Sequence, residues 1–259
     1  MDRLSRLLSE MEGRGYKAYK GLEGRFTFSD HLLVVDHVQG DPFADPSRMR
    51  LLVSGDQACF PENMRSPAIR RIALEDYLAR RVATAIATHV KGRRGSGKSG
   101  QVSISVNGQQ VLVRNAIRVH PDGSVEARIR VGLPAAGRRV LARQAEAMLF
   151  EELPKVARES LYFDRTPADA LTQHIHTIED QDHLRTLLEE KNLIAFIADD
   201  SLLPRSSGID DRPMLQGATP FSTPETLAQE FTLPHAGVIR GMGIPKGVTR
   251  HPLVALDRR

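Results

Sequence analysis

The chain has 259 residues, 41% of them hydrophobic, which is enough for one large domain or two of ordinary size. It holds no run of about 18 apolar residues, no signal-peptide apolar core and a single cysteine, Cys59, which exclude a spanning helix, a secretory leader, a disulfide framework and a cysteine-built zinc site. The net charge is only +4, yet Arg65 to Arg143 carries 16 Lys+Arg against 4 Asp+Glu, a balance of +12, while the rest, 20 against 28, sums to −8. These features describe a cytoplasmic protein whose middle segment faces a polyanion, with a merely solvated basic face as the alternative.

In chain order, Leu4, Leu7, Leu8 and Met11 share one face and predict an amphipathic helix over 2–12, ended by Gly13-Arg14-Gly15. Tyr16 and Tyr19 lie among Arg14, Lys17 and Lys20; they could stack bases, but two tyrosines three apart are expected to pack on the core. Phe26 and Phe28 alternate as a strand, and His31 to Val38 is a second apolar run. In Asp36 to Arg48, the donors Asp36, His37, Asp41 and Asp45 allow a hard-cation site, although Gly40, Pro42 and Pro46 favour a stiff turn in which Asp caps amides. Met49 to Val53 reads as a strand, Ser54 to Arg65 as a loose stretch, and Ser66 to Val90 as a helix with Ser66 as N-cap and Pro67 in the first turn.

Gly92 to Ser99 matches the phosphate-loop pattern G-x-x-x-x-G-K-[ST]. A working loop of that kind follows a strand and opens a helix, so that amides and the helix N-terminus converge on phosphate. Here the order is reversed: helical spacing at Leu74, Tyr77, Leu78, Val82, Ala85 and Ile86 precedes the loop, and alternation at Val102, Ile104 and Val106 follows it. The loop is therefore expected to be a basic helix-to-strand connection that can touch phosphate through side chains. Three further strands are expected at 110–114, 116–120 and 125–131, with hairpin turns at Asn107-Gly108 and Asp122-Gly123. On the last of them Arg128 and Arg130 face away from Ala127, Ile129 and Val131. The candidate phosphate- or nucleic-acid-binding set is Arg93, Arg94, Gly95, Gly97, Lys98, Ser99, Arg128 and Arg130; no catalytic residue and no metal ligand is assigned.

A helix is expected from about Arg138 through Phe150, and a helical region from Glu151 to Lys191 with Thr166 and Pro167 at a cap. His174, His176 and His183 invite a metal reading, but a spacing of two points ligands apart on a helix, so they read as surface or capping histidines. Leu193 to Asp200 imitates the acidic strand of an ATPase; with Asp200 where a Glu is needed, it reads as a buried parallel-sheet strand. A Pro-, Ser- and Gly-rich connector over 203–224 leads to strands at 230–233 and 238–242.

Several blocks together resemble the predicted ATPases of the ABC class that carry their own N-terminal domain. They are G-R-G-Y-K-A-Y-K (13–20), D-H-V-Q-G-D-P-F-A-D-P-S-R (36–48), R-R-I-A-L-E-D-Y-L (70–78), G-S-G-K-S-G (95–100), V-E-A-R-I-R-V-G-L-P (125–134), F-I-A-D-D-S-L-L-P-R-S-S-G (196–208) and G-M-G-I-P-K-G-V-T (241–249). The resemblance implies an α/β chain: a mixed N-terminal α+β domain over 1–160, then an ABC-type P-loop ATPase portion over 161–259 that is incomplete. Similar proteins place their phosphate loop just after the last block, whereas this chain reads R-H-P-L-V-A-L-D-R-R at 250–259. The expectation is thus of a truncated portion without turnover alone, with ATP and Mg as cofactors of the intact family and none held by this chain. One relative is associated with RNA processing, which makes RNA, beside the missing remainder of the ATPase domain, the implied partner; a self-standing nucleic-acid module and a P-loop enzyme using Gly92 to Ser99 are the alternatives.

Overall fold

The computed structural model describes residues 2–247; the stretch at 250–259 where the resemblance is expected to break off lies outside the described residues. The chain is α/β and forms two compact units, residues 1–175 and residues 176–259.

The first unit opens with α1 (Asp2–Met11), which buries Leu4, Leu8 and Met11 and gives way to Gly13 at φ 71°. A 3₁₀ segment, Tyr16–Leu22, then buries Tyr16 and Tyr19. Their rings meet edge to face at 5.2 Å, and their hydroxyls donate to the carbonyls of Leu133 (3.0 Å) and Pro134 (2.8 Å). Both tyrosines pack, as expected, and burial holds both phenols well above the ordinary tyrosine range.

The strands β1 (Gly24–Thr27), β2 (Leu32–His37) and β3 (Ser47–Val53) form an antiparallel meander. The turn between β2 and β3 is the stiff one expected: Asp41 Oδ1 accepts from the amides of Phe43 (2.8 Å) and Ala44 (3.1 Å). Buried Gln39 fastens it, because its Oε1 accepts from the amides of Ser47 (3.2 Å) and Leu133 (3.3 Å). The stretch expected to be loose holds two single-turn helices, α2 (Gly55–Ala58) and α3 (Glu62–Arg65). The long helix α4 (Ala68–His89) buries Leu74, Leu78, Val82, Ala85 and Ile86, as the spacing predicts, but Tyr77 is only half-buried. Its N-cap is Pro67, not Ser66, with no side-chain bond; Ser66 is extended, the conformation that a following proline enforces.

Helix α4 runs into the Gly92–Ser99 loop, which leads to β4 (Val102–Ser103). Then β5 (Ile117–Val119) and β6 (Val125–Val131) are joined by the Asp122-Gly123 turn, where Gly123 sits at φ 81° and Asp122 Oδ1 accepts from the Ser124 amide at 2.9 Å. The six strands form one antiparallel sheet in the order β1-β2-β3-β6-β4, with β5 also paired to β6. Residues 110–114 form no strand, and Asn107-Gly108 makes no hairpin. Val113 is 76% exposed, so this segment has no face to bury, and its β-propensity has nothing to act on.

A small hairpin of β7 (Ala135–Ala136) and β8 (Arg139–Val140) follows, so the helix expected from Arg138 starts only at α5 (Ala142–Ala147). A π turn, Met148–Glu152, passes into α6 (Leu153–Ser160), which packs along α4. After a 3₁₀ turn, Phe163–Arg165, comes α7 (Ala168–Glu190). Thr166 does not cap it; its hydroxyl donates to the Tyr162 carbonyl at 2.8 Å.

In the second unit β9 (Leu193–Ala198), β12 (Ala228–Leu233) and β13 (Gly237–Pro245) make a three-stranded sheet in the order β12-β13-β9. Between them the connector carries a hairpin of β10 (Arg205–Ser207) and β11 (Asp210–Pro213). The expectation for Leu193 to Asp200 is corrected in both respects. β9 is antiparallel to β13, and Ile194 is 66% exposed while Leu193 is buried, because an antiparallel sheet can leave one face to water. Leu193, Phe231 and Leu233 form the core here, packed against Leu184, Leu187, Leu188, Phe196 and Ile239.

Candidate functional site

The helix-loop-strand order predicted around Gly92 to Ser99 is the order observed. Five of the seven amides from Arg94 to Gly100 are committed elsewhere. Those of Ser96, Lys98 and Gly100 donate to the carbonyls of Ala135 (2.8 Å), Pro42 (2.8 Å) and Gly132 (2.7 Å), and that of Arg94 donates to Ser99 (2.9 Å). Gly95 and Gly97 are needed for contact with the chain's own backbone: a Cβ would lie 2.1 Å from the Ala135 oxygen at the first and 2.4 Å from the Pro42 oxygen at the second. Ser99 is buried; its hydroxyl donates to the Ser96 carbonyl (2.6 Å) and accepts from the Ala135 amide (3.1 Å). Arg94 also turns inward, with a side chain 4% exposed that forms an ion pair with Glu152 and donates to the Gln144 carbonyl at 3.3 Å. The loop does not present the amide cradle of a phosphate loop, since the amides of Arg94, Ser96, Lys98, Ser99 and Gly100 already donate to protein acceptors.

Of the candidate set, this leaves Arg93, Lys98, Arg128 and Arg130 facing outward, while Arg94, Gly95, Gly97 and Ser99 serve the fold. Alternation on β6 exposes Arg128 and Arg130 and buries Ala127, Ile129 and Val131. The register supplies what the sequence reading missed: Arg48 lies directly across from Arg130, and Arg50 across from Arg128. The signal was present in S-R-M-R-L-L-V, where arginines alternate with Met49 and Leu51, but the pairing of β3 with β6 is a long-range fact. Together these residues line a cleft of about 470 Å³ with Asp36, Met49 and Ile129.

Like charges facing each other across strands repel, and three carboxylates offset them here. Asp36 grips Arg50 through two oxygens at 2.8 Å each. Glu126, buried, accepts from Arg128 (2.6 Å) and Arg50 (3.1 Å). Burial pushes its carboxyl up, but the hydrogen bonds from the two arginines outweigh this and hold it below the usual range. Asp45, 79% exposed, bridges Lys98 and Arg130 at 3.2 Å each, and the hydrogen bond from Lys98 leads in holding it low. The cleft and the Asp45 bridge beside it thus carry five cations, Arg48, Arg50, Lys98, Arg128 and Arg130, against Asp36, Asp45 and Glu126.

Several other acids and histidines are spent locally. The Asp36, His37, Asp41 and Asp45 donors do not converge, because each has its own partner: Arg50, Glu23, the turn amides and Lys98. At the end of β9, Asp199 accepts from the Thr223 amide (2.7 Å) and pairs with Arg240 (2.9 Å). In the first unit His174 sits 3.2 Å from Asp76, which also pairs with Arg80 at 2.7 Å. No helix among the described residues is long and apolar enough to cross a membrane.

Comparison with protein families matches residues 1–164 to the N-terminal region of ATPases of the ABC class, and residues 167–251 to the P-loop domain of an ABC-type ATPase. No curated protein matches the chain. The G-x-x-x-x-G-K-[ST] string occurs once, at 92–99, inside the N-terminal match rather than the P-loop match, which agrees with its consumed amides. With the N-terminal match alone covering more than half of its length, the chain belongs to the ATPases of the ABC class.

Proposed function

We propose that this ABC-class ATPase holds single-stranded RNA on the exposed face of its six-stranded sheet. ATP with Mg²⁺ is the cofactor pair of the P-loop ATPase family in general, and RNA is the partner on which its hydrolysis acts. The observation that carries the reading is the pairing of Arg48 with Arg130 and of Arg50 with Arg128, directly across from each other on two adjacent strands. Strand spacing of about 4.8 Å sets the cations in a row, and guanidinium forks engage phosphate oxygens bidentately. The exposed Asp45 is the carboxylate an incoming phosphate displaces from Lys98 and Arg130. Contacts to phosphate carry no sequence information, so binding is weak in sequence preference.

Fluorescence anisotropy of a labelled single-stranded RNA tests this across a salt series. Each phosphate neutralised contributes about −0.7 to the slope of log affinity against log salt, so replacing Arg48, Arg128 and Arg130 with alanine flattens the slope by about two. Glu126 keeps Arg50 as a partner in that variant, so the fold survives. A folded triple variant with wild-type affinity and slope overturns the proposal and leaves the arginines as a solvated face.

A further inference from the structure

In the second unit, two donors on one helix meet a third that is distant in sequence. His176 and Glu179 lie one helical turn apart on α7, and His235 lies on the turn between β12 and β13. Buried Asp180 fixes that turn against the helix, since its two oxygens accept from the amides of His235 and Ala236 at 2.9 Å each. Held so, the His235 ring stacks on that of His176 at 3.8 Å and 5°, and its Nε2 meets Glu179 Oε2 at 2.8 Å. One ligand atom from each of the three residues lies within 4.8 Å of the other two. The spacing of His174, His176 and His183 gives no ligand set on the helix alone; the partner that changes this arrives from a strand turn distant in sequence.

We propose that His176, Glu179 and His235 form a binding site for a first-row divalent transition ion of the Zn²⁺ kind. Two imidazoles and one carboxylate are the borderline donors such an ion takes, whereas Mg²⁺ and Ca²⁺ require oxygen cages. Three protein ligands leave a fourth position for water, and Asp180 does not fill it, because both of its oxygens are held by backbone amides. Ligand atoms about 2.1 Å from a tetrahedral ion are about 3.4 Å apart, so the set closes by side-chain movement while Asp180 keeps the backbone in place. A ring nitrogen's lone pair lies in the ring plane, so the stacked imidazoles splay to aim at one ion, which takes the place of the proton between His235 and Glu179. The ion then ties α7 to the β12–β13 turn, and occupancy stabilises this unit.

The test uses the full chain, stripped with chelator. Titration with Zn²⁺ by calorimetry, and with Co²⁺ by its visible ligand-field bands, gives one saturable equivalent with tetrahedral-type absorption. Mg²⁺ gives none. His176→Gln and His235→Gln each weaken binding at least ten-fold, Glu179→Gln weakens it less, and His183→Gln leaves it unchanged. On the unaltered protein, Zn²⁺ shields His176 and His235, but not His183, from diethyl pyrocarbonate as read by peptide mass spectrometry, so the result does not depend on any variant folding. Absence of saturable Zn²⁺ binding, or binding that survives the double His176→Gln/His235→Gln change with no shielding of either ring, overturns the site and leaves a stacked surface contact.

Discussion

Arg94→Ala separates a structural loop from a phosphate loop. In a working G-x-x-x-x-G-K-[ST] loop, position 94 is one of the variable positions and Lys98 is the functional one; here the weights are reversed. The Arg94 side chain is 4% exposed and its partner Glu152 is 12% exposed, and Arg94 also donates to Gln144 Oε1 at 3.2 Å. Deleting it strands a buried carboxylate, a change that costs on the order of 3–5 kcal/mol, a large part of a domain's total of roughly 5–15. Lys98 reaches only Asp45, which is 79% exposed, so Lys98→Ala leaves stability near that of the parent. Adding Glu152→Gln to Arg94→Ala recovers part of the loss, because the stranded charge is gone. Urea unfolding followed by circular dichroism reads the overall midpoint. Hydrogen exchange in α4 and α6 reads the first unit by itself, since two units need not unfold together. Arg94→Ala within about 0.5 kcal/mol of the parent, with Lys98→Ala the damaging change, refutes the structural reading of the loop.

Three further outcomes follow from the same contacts. Any ATP hydrolysis by the protein is unchanged by Lys98→Ala in a phosphate-release assay, because the loop's amides are bound to Ala135, Pro42 and Gly132; loss of turnover in that variant contradicts this. Tyr19→Phe removes a buried hydroxyl 2.8 Å from the Pro134 carbonyl and lowers stability by about 1–2 kcal/mol in urea, and an unchanged midpoint would show that the bond contributes nothing net. The folded carboxyls of Glu126 and Asp76 are held below their ordinary values of 4.5 and 3.8, so the stability they contribute is complete above those values and is lost as pH falls through the folded ones. Glu75, which burial raises, works in the opposite direction. Glu126→Gln therefore flattens the acid limb of a stability-pH curve; an unaltered limb rules out its pairing with Arg50 and Arg128 as the cause.

Local order was written in the sequence. The 3.6-residue spacing of α4 and the two-residue alternation of β6 fix which side chains are buried, because each pattern survives only if one face leaves water. For the same reason the helix-before-loop order around Gly92 identified the phosphate-loop string as an imitation, and the blocks shared with ABC-class ATPases pointed to the family that the matches establish. Partners distant in the chain could not be read this way. Whether Arg94 faces phosphate or Glu152 depends on a helix more than fifty residues downstream. Arg48 and Arg50 joined the basic face only because β3 pairs with β6 in a register that sets arginine across from arginine, and an exposed face imposes no apolar pattern from which that register could be seen. His176 gained a cluster only when the β12–β13 turn was pinned to α7 by Asp180. Periodicity records burial, which every residue in an element feels alone; convergence of charges and ligands is set by long-range pairing, and that is decided by the tertiary fold.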